Sequence, residues 1–165
     1  DKSRIVPSKQ LEFLGFCFRG TKLAWCDKAL LCFKHRVRQL TKRSWGVSLA
    51  HRYRELRKYI VGWMNYFALS EYYRPVPELD EWLRRRLRCC DFQQWRWPRT
   101  KISHLVSLGI CLDEAIKTGV SSKGPYAMSR TPITQRAMSN EWLAAQGLVS
   151  IKDQWVRFHY PVSTA

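Results

Sequence analysis

A mainly helical fold is predicted by three observations. Between Ser48 and Ser70, the residues Leu49, Tyr53, Leu56, Ile60, Trp63 and Phe67 recur at alternating steps of four and three, which marks one face of a helix. Flanking stretches, from Asp27 to about Lys42 and from about Val76 to Cys90, repeat an apolar stripe set beside basic residues. The strand-like signal is confined to a short run, Leu11–Phe18, LEFLGFCF.

In that run Phe13, Phe16 and Phe18 favour a buried strand, and Gly20-Thr21 permits a turn into a second strand over Lys22–Cys26. Two strands are not stable alone, so this hairpin is expected to belong to a larger sheet. Asp27 is the expected N-cap of the first helix, with Leu30, Leu31, Phe33 and Val37 inward and Lys34, Arg36 and Arg38 turned at least partly outward. Gly46 turns the chain into the second helix, whose off-stripe residues include Arg52, Arg54, Arg57 and Lys58. Gly62 in that helix is expected to allow close helix packing. Pro77, Glu78, Asp80 and Glu81 suit the start of the third helix; Leu79, Trp82, Leu83 and Leu87 form its stripe, and Arg84, Arg85, Arg86 and Arg88 follow. Joined by short connections, the three helices are expected to form an antiparallel bundle with a shared cationic surface. Short helices are predicted over Lys101–Leu108 and Asp113–Thr118, ended by Gly109 and Gly119. Ser121–Arg130 reads as a loop, Thr131-Pro132 opens a helix, Ser139 caps one through Gln146, and Leu148–Phe158 is expected to finish as a hairpin.

Charge narrows the class of partner. The chain of 165 residues carries 29 Lys plus Arg against 13 Asp plus Glu, a net of +16, together with 22 aromatic residues (8 Trp, 7 Tyr, 7 Phe). Such an excess attracts a phosphate backbone, and the aromatics exceed what a merely solubilising or lipid-adhering surface needs. Residues 1–99 hold 22 basic and 9 acidic side chains (+13), whereas residues 100–165 hold 7 and 4 (+3), so the polyanion surface is expected in the first part. A division is placed near Pro98 to Lys101. No apolar run approaches a membrane span, and DKSRIVPSKQ lacks the order of a signal peptide, so an intracellular protein is expected. The six cysteines, at 17, 26, 32, 89, 90 and 111, include no Cys-X-X-Cys pair and are expected as reduced, buried thiols.

Asp91–Lys101, DFQQWRWPRTK, interleaves Trp95 and Trp97 with Arg96, Arg99 and Lys101. This pattern offers stacking faces beside phosphate contacts, or a tryptophan clamp between sub-domains, with at least one tryptophan in the core. His35, His51, His104 and His159 show no metal-ligand spacing with cysteine, and no nucleophile motif is present.

FLGF at 13–16, GWMNYF at 62–67 and YAMSRTPITQRAMSNEWLAAQGLVSIKDQWVRFHYP at 126–161, in this order and spacing, resemble the C-terminal part of bacterial group II intron-encoded reverse transcriptase/maturases. The resemblance implies that residues 1–26 derive from the edge of a polymerase palm. It implies that residues 27–98 are the helical thumb or maturase-specific domain, and residues 99–165 an accessory nucleic-acid-binding segment. The implied partners are group II intron RNA, an RNA/DNA template–primer duplex and target DNA, with no membrane. The implied location is the bacterial cytoplasm, with association to the nucleoid open.

The family's polymerase carboxylates would lie upstream, and this chain contains no Tyr-X-Asp-Asp. By itself it is expected to catalyse nothing and to need no cofactor, whereas the parent polymerase would use magnesium. The His-Asn-His nuclease module of some relatives is also missing from the sequence. The RNA-binding candidates are Arg36, Arg38, Lys42 and Arg43 on the first helix, Arg52, Arg54 and Lys58 on the second, Arg84, Arg85 and Arg88 on the third, then Arg96, Arg99 and Lys101. The alternatives are the tail of an active RNA-directed DNA polymerase, or a degenerate remnant that binds nucleic acid or protein through charge.

Overall fold

The computed structural model describes residues 11–161, with the side chain of Arg43 left aside; the reading of DKSRIVPSKQ falls outside the described residues. Three short strands, β1 (Glu12–Phe13), β2 (Phe16–Arg19) and β3 (Lys22–Trp25), form an antiparallel meander in the order β1-β2-β3. The single strand expected over Leu11–Phe18 is therefore divided. Phe13 pairs with Phe16, so Leu14 and Gly15 are a two-residue turn with φ of 50° and 83°. Positive φ at both positions matches the right-handed twist of the flanking strands, and the apolar Leu14 hid this turn in the sequence. Gly15 also lies close to α2 (Leu49–Phe67): a Cβ here would stand 3.1 Å from the Phe67 ring. The sheet is tied down by Trp25 Nε1, which donates to the Phe67 carbonyl at 2.7 Å, and by the Glu71 backbone amide, which donates to the Leu23 carbonyl at 2.9 Å.

Helix α1 (Asp27–Leu40) begins one residue before its expected first helical position: Cys26 is the N-cap, its sulfur accepting from the Ala29 amide, and Asp27 supplies first-turn negative charge. A 3-10 turn at Arg43–Trp45 leads to Gly46 with φ of 69°, and Ser48 caps α2 by accepting from the His51 amide. Helix α3 (Pro75–Gln94) runs past the expected Cys90 end. It is followed by α4 (Pro98–Ser107), α5 (Leu112–Gly119), α6 (Pro125–Met128), α7 (Pro132–Ala137), α8 (Asn140–Ala145) and α9 (Ile151–His159).

Two expectations for the C-terminal part are corrected. Within the predicted loop 121–130, Pro125 starts the single helical turn α6. In place of the terminal hairpin stands α9, because Ser150 caps it and Ile151 and Trp155, four residues apart, bury one face. Gly62 is corrected too, since a Cβ built there meets nothing within 4 Å and serves no packing contact. Gly119 has that role, with its missing Cβ only 2.5 Å from Ile102 of α4.

One core joins Trp25 to Phe33 and Val37 of α1, Leu56, Ile60 and Trp63 of α2, and Leu83 and Leu87 of α3. Leu143 of α8 and Ile151 and Trp155 of α9 return to this same core. A second core is built from Phe92 and Trp95 at the end of α3 with Leu105, Ile110, Ala115 and Met138, and Trp142 packs against both. Helix α3 thus runs from one core into the other.

Candidate nucleic-acid interface

Of the cations selected from sequence, the exposed ones lie on α1, just after it, on α2 and beyond the end of α3. The α1 stripe turns Phe33, Val37 and Leu40 inward, so helical phase leaves Arg36 and Arg38 exposed; Lys42 and Arg43, expected on the same helix, lie beyond its Leu40 end, where Lys42 is exposed at the start of the 3-10 turn. Arg54, Arg57 and Lys58 are exposed on α2 for the same reason. Arg36 donates to Gln39 Oε1 at 2.9 Å, and Lys58 pairs with Glu55 at 2.8 Å, which leaves Arg54 and Arg57 the less encumbered cations of that helix. The α1 and α3 cations meet at one aromatic ring: the Arg38 and Arg86 guanidiniums lie 5.6 and 5.7 Å from the Trp82 centroid. Arg86 Nε also donates to Thr41 Oγ1 at 2.8 Å. A stacked guanidinium loses little freedom on gripping a phosphate.

Beyond α3, Arg96 and Arg99 are exposed and flank Trp97, which is 69% exposed, while Lys101 is half-buried with its amine 5.1 Å from the Phe92 centroid. The two tryptophans divide the roles foreseen for them. Trp95 is in the second core, stacked on His104 at 4.8 Å and 13°, and Trp97 presents a free face to solvent.

Arg52 and Arg88, expected among the RNA-facing cations, are instead structural cross-links, 4% and 7% exposed. Arg52 donates to the carbonyls of Leu40 and Lys42 at 2.8 and 3.2 Å, satisfying the end of α1. Arg88 donates from Nε to the Met138 carbonyl at 2.7 Å and from Nη2 to Asn140 Oδ1 at 3.0 Å, and burial pulls its pKa down. Arg84 is paired with the buried Asp80, and Arg85 lies over the Tyr126 ring at 3.9 Å. Arg84, Arg85 and Arg88 thus border one cleft while each is engaged by a different neighbour, and Arg86 turns away to the Trp82 ring. Arg57, Arg86 and Arg130 were not selected from sequence; helical phase alone could have found the exposed Arg57, whereas Arg86 and Arg130 needed the packing.

Two buried groups add electrostatic detail. Tyr53 donates to Asp91 Oδ2 at 2.8 Å, while Asp91 Oδ1 has no partner among the described residues. Burial raises the Asp91 pKa to about 7 against the opposing pull of Tyr53 and Arg52. Of the cysteines, Cys26 and Cys90 are buried as expected, but Cys32 and Cys111 are exposed; all six are free thiols. Among the described residues no group of three His, Cys, Asp or Glu is placed to hold a metal ion, and no helix is long and apolar enough to cross a membrane.

Residues 30–108 match the family described as group II intron, maturase-specific domain. This stretch is 79 of the 165 residues. Its match opens inside α1 and closes just past α4, so it contains the exposed cations of α1 and α2, the Trp82 cluster and Trp97. The sheet before it and helices α5 to α9 lie outside the match, although Leu143 of α8 and Ile151 and Trp155 of α9 share a core with the matched residues. No curated protein matches the chain.

Proposed function

We propose that this chain is an RNA-binding thumb/maturase module that holds group II intron RNA in a splicing-competent fold. The observation that carries the reading is the array of exposed cations on α1 and α2 inside a maturase-specific domain. Arg36, Arg38, Lys42, Arg54, Arg57 and Lys58 would contact phosphates of a structured RNA, and binding the folded intron more tightly than misfolded forms would stabilise it by that difference. The same surface would grip the template–primer duplex of a reverse transcriptase whose magnesium-binding carboxylates lie in another part of the polypeptide. Trp97 between Arg96 and Arg99 would stack on an unpaired base of the RNA or of target DNA.

The test is binding of the purified chain to a folded group II intron RNA and to an equal-length unrelated structured RNA across a salt titration. A preference for the intron that persists at high salt is expected. Equal affinities that collapse together as salt rises would reduce the function to charge attraction and refute intron recognition.

A further inference from the structure

We infer that a cleft between α3, α6 and the start of α8 seats a single phosphate group of the RNA backbone, with Arg85 and Arg130 as its direct ligands. The inference rests on the RNA-binding reading for the source of the phosphate and adds a defined seat to it.

The cleft has a volume of about 410 Å³, and Arg84, Arg85, Arg88 and Arg130 are among the residues that line it. Two of the four are already committed, Arg84 to Asp80 and Arg88 to Met138 and Asn140, so they contribute positive potential and rigid walls. Arg85 differs from them. Its guanidinium is held flat against the Tyr126 ring at 3.9 Å, yet its Nε is buried with no hydrogen-bond partner among the described residues. A buried N–H left without an acceptor is unfavourable, and a small turn of the side chain that brought Nε to a phosphate oxygen in the cleft would relieve it.

Arg130, which lines the cleft from the turn after α6, is exposed and has no carboxylate partner among the described residues. The carboxylates at the cleft are Glu81 and Glu141, both exposed. Four guanidiniums against Glu81, Glu141 and the adjacent Asp80 leave the site positive. Guanidinium forks brought from α3 and from the turn after α6 suit a tetrahedral anion with several acceptor oxygens.

The test uses the intact chain in two arms. In the first, inorganic phosphate is titrated at constant ionic strength while the Nε–Hε signals of ¹⁵N-labelled arginine are followed by NMR. A saturable shift of the Arg85 signal is expected, and an Arg85 signal that moves no more than in matched chloride would overturn the seat. The second arm measures the salt dependence of RNA binding by the Arg85→Gln/Arg130→Gln variant. One lost phosphate contact lowers the slope of log K against log salt by about 0.7–0.9. A fall of that size is expected for the pair together. No fall, or about twice that fall, would overturn the shared seat, since the two arginines would then contact no phosphate or separate ones.

The Arg36→Gln/Lys58→Gln variant gives the scale for two exposed cations outside the cleft. Arg130→Gln alone, at an exposed position, keeps the test decisive if loss of Arg85 impairs folding: it too must lower the slope, and an unchanged slope overturns the proposal. Intron recognition fails separately, if the wild type shows no preference between RNAs while the phosphate titration still shifts Arg85.

Discussion

Replacing Asp80 by Ala should detach α9 from α3. The Asp80 carboxylate is 1% exposed and accepts from the Ile151 amide at 2.8 Å, from Ser150 Oγ at 3.1 Å and from Arg84. It therefore satisfies the first turn of α9, which has no intrahelical acceptor for these amides. Losing a buried partner of the Ile151 amide costs roughly 1–3 kcal/mol. The Arg84 side chain is 24% exposed and regains part of its hydration, which limits its share to about 1 kcal/mol. With the freed Ser150 hydroxyl, the expected destabilisation is about 3–5 kcal/mol. Urea denaturation followed by circular dichroism measures the total, and hydrogen exchange locates it. The α9 amides should lose protection most, together with the Trp155 indole N–H that donates to the Ser70 carbonyl at 2.7 Å. A change below about 1 kcal/mol with α9 as protected as in the wild type would refute the reasoning.

The buried Asp91 should make stability fall as pH rises. Its folded pKa, about 7, lies above the ordinary carboxylate value, so the native state binds the proton more tightly. Its contribution is complete at about pH 4 and is lost progressively towards pH 7. Asp91→Asn should remove a dependence amounting to at most about 4 kcal/mol over that range; parallel stability curves for the two proteins would contradict the assignment. Gly62→Ala, at an exposed position in α2 with nothing within 4 Å, should stabilise by about 0.5–1 kcal/mol, and a lowered melting temperature would show that the glycine has another role. Reversing charge at Arg38, Arg54 and Arg57 to Glu should weaken RNA binding and flatten its salt dependence without changing the melting temperature by more than a few degrees. Unchanged affinity and slope would place the interface elsewhere.

Local pattern in the sequence was sufficient to place α1, α2 and α3, because an apolar stripe at helical spacing is a property of neighbouring residues. The same phase correctly turned Arg36, Arg38, Arg54 and Lys58 outward. Of the motifs at 13–16, 62–67 and 126–161 that carried the family resemblance, the one at 62–67 lies inside residues 30–108, which match the family model. Tertiary structure decided the rest. The apolar Leu14 disguised a turn that is visible only once Phe13 faces Phe16, and residues 151–159 became a helix because Asp80, some seventy positions away in the sequence, accepts from its first turn. Arginine roles depended on distance in space: Arg52 and Arg88 resemble their surface neighbours in sequence, yet carbonyls from other elements hold them inside. A helix records its own burial pattern along the chain, but a cation's partner is set by whichever residue the fold brings to it, and that information is non-local.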